Sequence, residues 1–543
     1  MKGPREAREY PIQHRPVHSD HAGATLMNSA EQQRKTNHKR ALLIATVLFV
    51  SYAYFYAGGG WNQNSRFDLI RAIIEQGTLR IDAYHENTRD KAFFRGHYYS
   101  DKAPGLALLA VPIVAVARPV LHAAGVDPGS PRGLVGLSYV ATVFTLALPT
   151  ALATACLFLV ALRLGATVGG AAFAALSLGL ATPMWAYTTA LFGHSLAGAC
   201  LLFSFAAALG LRQAGSLMRD LFLGLAVGVA AGWATVTEYP AAPAAAVLAL
   251  LALAQAWPGG WARRWRVAGG IAVGALGCVA VLMFYQYAAF GSPFDLGYSH
   301  YQEGAFPWMD TGFHGLTYPR PLIMVRLLLD PYLGLFLLST VVAAAPLGLR
   351  LLWKKANFRS LAVVAAIIPA YYLCFNASFF AWRGGSSYGP RYMLAGIPVL
   401  CIGLAPVWSS AGRRVRWLLA MLAICGITLS LMAVSTTILP PQTLRCPIVQ
   451  LIWPSFWAGR MSINSGSIFL PKRTHEAFNL GELAGLHGLA SLVPLLAIWA
   501  GGAVVWMRIH KDSVRSRGSL HKPISPDVPI PLHGGDLNPR VPD

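Results

Sequence analysis

The chain has 543 residues, of which 55% are hydrophobic and only 12% charged, with a mean hydropathy of +0.48 and a formal net charge of +21. Soluble globular domains carry about twice that charged fraction, which excludes a soluble protein. Apolar runs of roughly 17–25 residues recur, each long enough to cross a hydrocarbon core as a helix, so the reading is an all-α polytopic membrane protein.

The positive charge follows topology, and no nucleic-acid partner is expected. Residues 1–40 are polar and basic, lack a signal-peptide pattern and end in RKTNHKR; they predict a disordered cytoplasmic tail. The first span is expected over 41–57, which puts the first loop (58–132) outside. Later basic clusters, among them Trp261–Arg266 (WARRWR) and GRRVR at 412–416, then fall on the cytoplasmic side. This bookkeeping requires that 104–123 does not cross. That stretch is therefore expected as a juxtamembrane or half-inserted helix, interrupted by Pro112 and Pro119. About twelve spans result, within a membrane domain over 41–508 and with both termini cytoplasmic. The Pro-, Gly- and Ser-rich stretch 509–543 predicts a second disordered tail. Six of the seven cysteines lie in apolar runs and only Cys446 in a polar loop, so neither a disulfide framework nor a thiolate metal site is expected.

Segment 62–105 concentrates four Asp, two Glu, five Arg and two Lys in an otherwise apolar chain. Within it, 65–76 places Phe67, Ile70, Ile73 and Ile74 at helical spacing, with Ser65 as N-cap and Gly77 as stop. An amphipathic helix on the membrane surface is expected there. An extended stretch follows, then YYSDKAPG at 98–105. Most acidic residues outside the tails fall in the outer loops, Glu238, Asp295 and Glu303 among them, which favours an extracytoplasmic site. The loop 290–321 is rich in aromatic and polar residues, suited to carbohydrate stacking or to a lid.

The order of first span, surface helix, GTLRID, GHYYSDKAPG and a helix opened by proline resembles the first outer loop of the GT-C glycosyltransferases. It is most similar to the branch of protein O-mannosyltransferases and the bacterial aminoarabinose transferase of lipid A. Further segments are similar to bacterial members that use lipid carriers: LFGHS at 191–195, TEYPAA at 237–242, LLLDPYLGLF at 327–336 and WRGGSSYGPRYM at 382–393. The resemblance covers most of 40–505. It implies a GT-C-like bundle in a bacterial inner membrane. The implied activity transfers a sugar, hexose or pentose, from a polyprenyl-phosphate donor to a hydroxyl on a glycan, lipid or protein acceptor, with inversion.

Such a displacement needs a carboxylate to take the hydroxyl proton and cations to stabilise the departing phosphate. In the resembled branch the catalytic Asp precedes the Arg–aromatic pair, here Arg66-Phe67, by a few residues. Gln63 and Asn64 occupy those places and cannot act as bases. Asp68 is the first candidate, against a surface acid paired with Arg71; Asp82, Asp90 and Asp101 compete. Lys102 matches the family's lysine and is the candidate phosphate ligand, with Arg66 and Arg391 beside it. Tyr98, Tyr99 and Tyr388 are candidate sugar or acceptor contacts. His194 and Glu238 sit at the outer ends of helices, where ionisable groups are costly; they are candidates to orient the acceptor or to bind a divalent cation. Two other classes stay open: a lipid-linked glycan flippase, polymerase or ligase, and a secondary transporter, which would carry charges in mid-span.

Overall fold

The computed structural model describes residues 19–301, 306–464, 466–469 and 476–520. Among these, nine helices are long and apolar enough to cross a membrane, from Gly105–Ala123 to Gly488–Val514, and three shorter apolar helices accompany them. The architecture is all-α and polytopic, with two small two-stranded sheets among the described residues. The chain divides into two compact units, one joining Met1–Arg40 with Ala503–Asp543 and the other spanning Ala41–Gly502. Of the expected disordered tails, residues 19–40 and 509–520 lie in helices; the remainder, like Glu303, lies outside the described residues.

Helix α1 (Ser19–Ala53) runs into strand β1 (Phe55–Tyr56). Helix α2 (Trp61–Gln76) begins a full turn before the expected Ser65 and ends at Gly77 in the left-handed conformation. Ser65 does not cap it. Its hydroxyl lies 2.8 Å from Ser100 Oγ and donates to Asp101 Oδ1 at 3.3 Å, because the far end of the loop folds back onto it. The surface-helix expectation also fails for the first half of α2: Gln63, Asn64, Arg66 and Asp68 are all buried. Only the second half keeps a polar exposed side.

The extended stretch forms a hairpin of β2 (Lys91–Phe94) and β3 (His97–Ser100). Its two-residue turn places Arg95 at φ 49° and Gly96 at φ 83°; positive φ at both positions matches the twist of a tight hairpin. Helix α3 (Gly105–Ala123) follows, with Pro104 as its N-cap. It continues unbroken through Pro112 and Pro119, against the expected interruption. Each proline forfeits one backbone bond, a loss that apolar helices absorb by local adjustment. At its start Gly105 presses on Val236 and Thr237, leaving 2.7 Å to the backbone where a Cβ would stand. That contact sets the end of the hairpin beside Glu238. Late in the chain β4 (Phe478–Asn479) pairs antiparallel with β1.

Elsewhere the helices Leu217–Thr237 and Gly260–Phe290 pack backbone to backbone. Gly224 and Gly228 on one meet Gly270 and Gly274 on the other. Without a hydrophobic drive between helices in lipid, such small-residue spacing gives the close van der Waals contact that holds them. At one end of this pair Arg263 is sealed in. It donates to both oxygens of Asp220 at 3.1–3.2 Å and to the carbonyls of Leu211 and Gln213 at 2.7 and 2.9 Å.

Candidate active site

The start of α2, the end of the hairpin, Glu238 and the segment around Arg391 enclose a cavity of about 1070 Å³. Lys102 lines it, and its ammonium lies 3.0 Å from both Asp90 Oδ2 and Asp101 Oδ2. Burial works against the charge of Lys102, yet Asp101 and Asp90 outweigh it and hold the ammonium protonated above the usual lysine range. Asp101 is fully buried behind this contact, whereas Asp90 reaches the cavity. The backbone of Asp90 is fixed: its N–H donates to Thr88 Oγ1 at 3.0 Å, and that hydroxyl donates to Trp61 O at 2.7 Å.

Beside this cluster, Glu238 Oε1 accepts from Arg66 Nη2 at 2.9 Å and lies 3.4 Å from His194 Nδ1. The Arg66 guanidinium also donates to the side chain and carbonyl of Asn62. Arg66 stands behind the cavity wall, while Glu238 and His194 line it. Arg391 lines it too; its Nη2 donates to the Tyr392 hydroxyl at 3.1 Å, and its Nε has no partner among the described residues. The wall opposite is aromatic. The loop after the Gly260–Phe290 helix contributes Tyr298, Tyr301 and Trp308, with Tyr298 placing its ring 5.9 Å from the Lys102 ammonium.

The sequence candidates thus separate. Asp90, Lys102, His194, Glu238 and Arg391 come together on one cavity, with Arg66 and Asp101 immediately behind it. Asp68 does not line it. It is buried, accepts from Asn87 Nδ2 at 3.2 Å, and burial pushes its carboxyl up to about 8 against the pull of Asn87 and Arg71. Arg71 is committed to Glu75 instead. Asp82 is half-exposed and holds His97 and the Tyr98 amide. Tyr98 stacks on His85, Tyr99 packs on Phe290, and Tyr388 is buried away from the cavity. Arg383 and Gln442 line the cavity without having been singled out in the sequence. Arg383 sits within the segment 382–393 that carried the resemblance, but nothing in its spacing set it apart.

Among the described residues no group of three or more His, Cys, Asp or Glu side chains is placed to hold a metal. The His194–Glu238 pair already carries the Arg66 guanidinium on its carboxylate.

No family model matches the chain, and no curated protein matches it significantly. Solved structures similar to it include ArnT from Cupriavidus metallidurans bound to undecaprenyl phosphate, at 16% identity over 91% of this chain and 77% of that one, TM-score 0.47. The apo state of the same protein matches at 18% identity over 86% and 75%, TM-score 0.47. Archaeal oligosaccharyltransferase AglB from Archaeoglobus fulgidus, in complex with an inhibitory peptide and a dolichol-phosphate, matches at 13% identity over 76% and 57%, TM-score 0.45. Likenesses this distant carry no inference about chemistry, which rests on the cavity itself.

Proposed function

We propose that the chain is a membrane glycosyltransferase that moves a sugar from a polyprenyl-phosphate carrier to an acceptor hydroxyl, with inversion, at an extracytoplasmic site. The observation that carries this reading is the cavity, which among the described residues is lined by the basic side chains Lys102, Arg383 and Arg391, the carboxylates Asp90 and Glu238 and an aromatic wall. A lipid phosphate meets cations there in a poorly screened setting, where pairing is strong. Aromatic faces suit the C–H faces of a sugar ring. The acceptor oxygen attacks the anomeric carbon and forms the new glycosidic bond. The bond to the phosphate oxygen breaks, its electron pair leaves with the phosphate, and Lys102 with Arg391 takes up that charge. A lining carboxylate receives the hydroxyl proton. The family resemblance of the first loop supports the same reaction class.

Deleting the gene in its host and profiling envelope glycans and lipids by mass spectrometry tests the reading. One glycan modification is expected to vanish while a polyprenyl monophosphate sugar accumulates. Accumulation of lipid-linked oligosaccharide with an altered chain length would instead place the protein among flippases, polymerases or ligases.

A further inference from the structure

Among the described residues two carboxylates line the cavity, and their cations differ in access. Glu238 is held by Arg66, which stands behind the wall and is anchored on Asn62, so nothing arriving in the cavity can draw that cation away. Asp90 is held by Lys102, which itself faces the cavity. Lys102 has a second carboxylate, Asp101, at the same 3.0 Å, and Asp101 is fully buried behind it. An incoming phosphate therefore competes with Asp90 for the ammonium and leaves the Asp101 contact in place. The backbone anchor through Thr88 keeps Asp90 at the cavity edge while its side chain is released. Resting on the glycosyltransferase reading, we propose that Asp90 is the catalytic base and that the donor phosphate unmasks it by taking over its lysine.

In the resting site Lys102 ties up Asp90 and Arg66 ties up Glu238, so neither of these carboxylates is offered unpaired to water. Once the phosphate of the donor engages Lys102, Asp90 loses its counter-ion and its basicity rises. It accepts the proton of the acceptor hydroxyl as the new carbon–oxygen bond forms and the bond from the anomeric carbon to phosphate breaks. The electron pair goes to the phosphate, whose charge Lys102 and Arg391 hold. When the carrier phosphate leaves, the protonated Asp90 yields its proton to solvent and Lys102 returns to it. Asp90 and Arg391 line the same cavity, so the base and the second phosphate cation belong to one chamber.

The test compares the full chain with Asp90→Asn and Glu238→Gln in lipid nanodiscs. Binding of undecaprenyl phosphate is read by titration, with the phosphate-free alcohol as control. Transfer is read as label moved to membrane acceptors from the polyprenyl-phosphate-sugar pool extracted from the host. Asp90→Asn removes the competitor for Lys102, so undecaprenyl phosphate is expected to bind about tenfold tighter while transfer falls by about 10²-fold or more. The alcohol should bind all variants alike, and Glu238→Gln should not tighten phosphate binding. Asp90→Asn protein that binds undecaprenyl phosphate no tighter than wild type overturns the exchange, and retained turnover overturns the base. A wild type that binds undecaprenyl phosphate yet moves no sugar sinks the underlying reading and the base with it; the lysine exchange then stands or falls on the binding comparison alone.

Discussion

Arg263 and Lys102 are both largely enclosed and paired with carboxylates, and they behave as opposites. Arg263 engages both oxygens of Asp220 and two carbonyls, and neither partner of the pair lines the cavity. Lys102 engages one oxygen each of Asp90 and Asp101 and looks into 1070 Å³ of space. Burial and pairing are common to both, so neither property marks function. What separates them is whether a third party can reach the cation. The Arg263 cluster ties two helices at their ends, whereas the Lys102 cluster has a contact it can exchange.

The comparison breaks most sharply at Arg263. Arg263→Met strands Asp220 as a buried charge and should cost about 3–5 kcal/mol, read as a large drop in melting temperature in detergent. Removing both partners, Arg263→Met with Asp220→Leu, should recover most of it. A single variant that melts like wild type would deny the pair its structural role. At Lys102 the expected loss is catalytic. Lys102→Gln combined with Asp101→Asn strands no deeply buried acid, so melting should move far less than for Arg263→Met while sugar transfer falls about 10²–10³-fold. A fall in stability as large as that of Arg263→Met, with turnover per folded molecule kept, would make the two clusters alike after all.

On sugar transfer, the smallest effect is expected at Asp68, a carboxylate buried without a cation. Its folded carboxyl titrates near 8 because burial disfavours the charge, against about 3.9 in an unfolded chain. Between those values the folded state holds a proton that the unfolded state has released. Asp68 therefore makes stability fall as pH rises from about 4 to about 8, and the slope ends above that window. Asp68→Asn should flatten this part of the melting-temperature profile and leave transfer unchanged. An unchanged slope, or lost transfer, would return Asp68 to the list of bases.

Much of the site was legible because its charge contrasts with the apolar chain. Lys102 stood out by its place before a proline-led helix, and His194 and Glu238 by the cost of ionisable groups at helix ends. The choice among the acids was not legible. Asp68, Asp82, Asp90 and Asp101 share one loop, and only the fold-back of Ser100 onto Ser65 decides which faces the cavity and which is entombed. Helical spacing at 65–76 gave the right element and the wrong environment, since periodicity cannot tell water from a polar interior. The pairing of Arg66 with Glu238 spans 172 residues, beyond any local pattern. The all-α membrane class and the Gly77 stop followed from composition and local chemistry. The unbroken α3 did not, because proline's local penalty is offset by surroundings that a single sequence does not display.

The buried start of α2, where Asn64 lies, sets a schedule for the molecule. Asn64 donates to Ser467 O at 2.7 Å across 403 residues of chain, and Asn87 donates to Ile468 O at 3.1 Å. A ribosome makes the first loop long before it makes these acceptors. The polar start of α2 must therefore wait, unfinished, until nearly the whole chain has been delivered. Competence arrives at the end of synthesis, so a nascent or truncated chain holds the charged residues of the site without the floor beneath them.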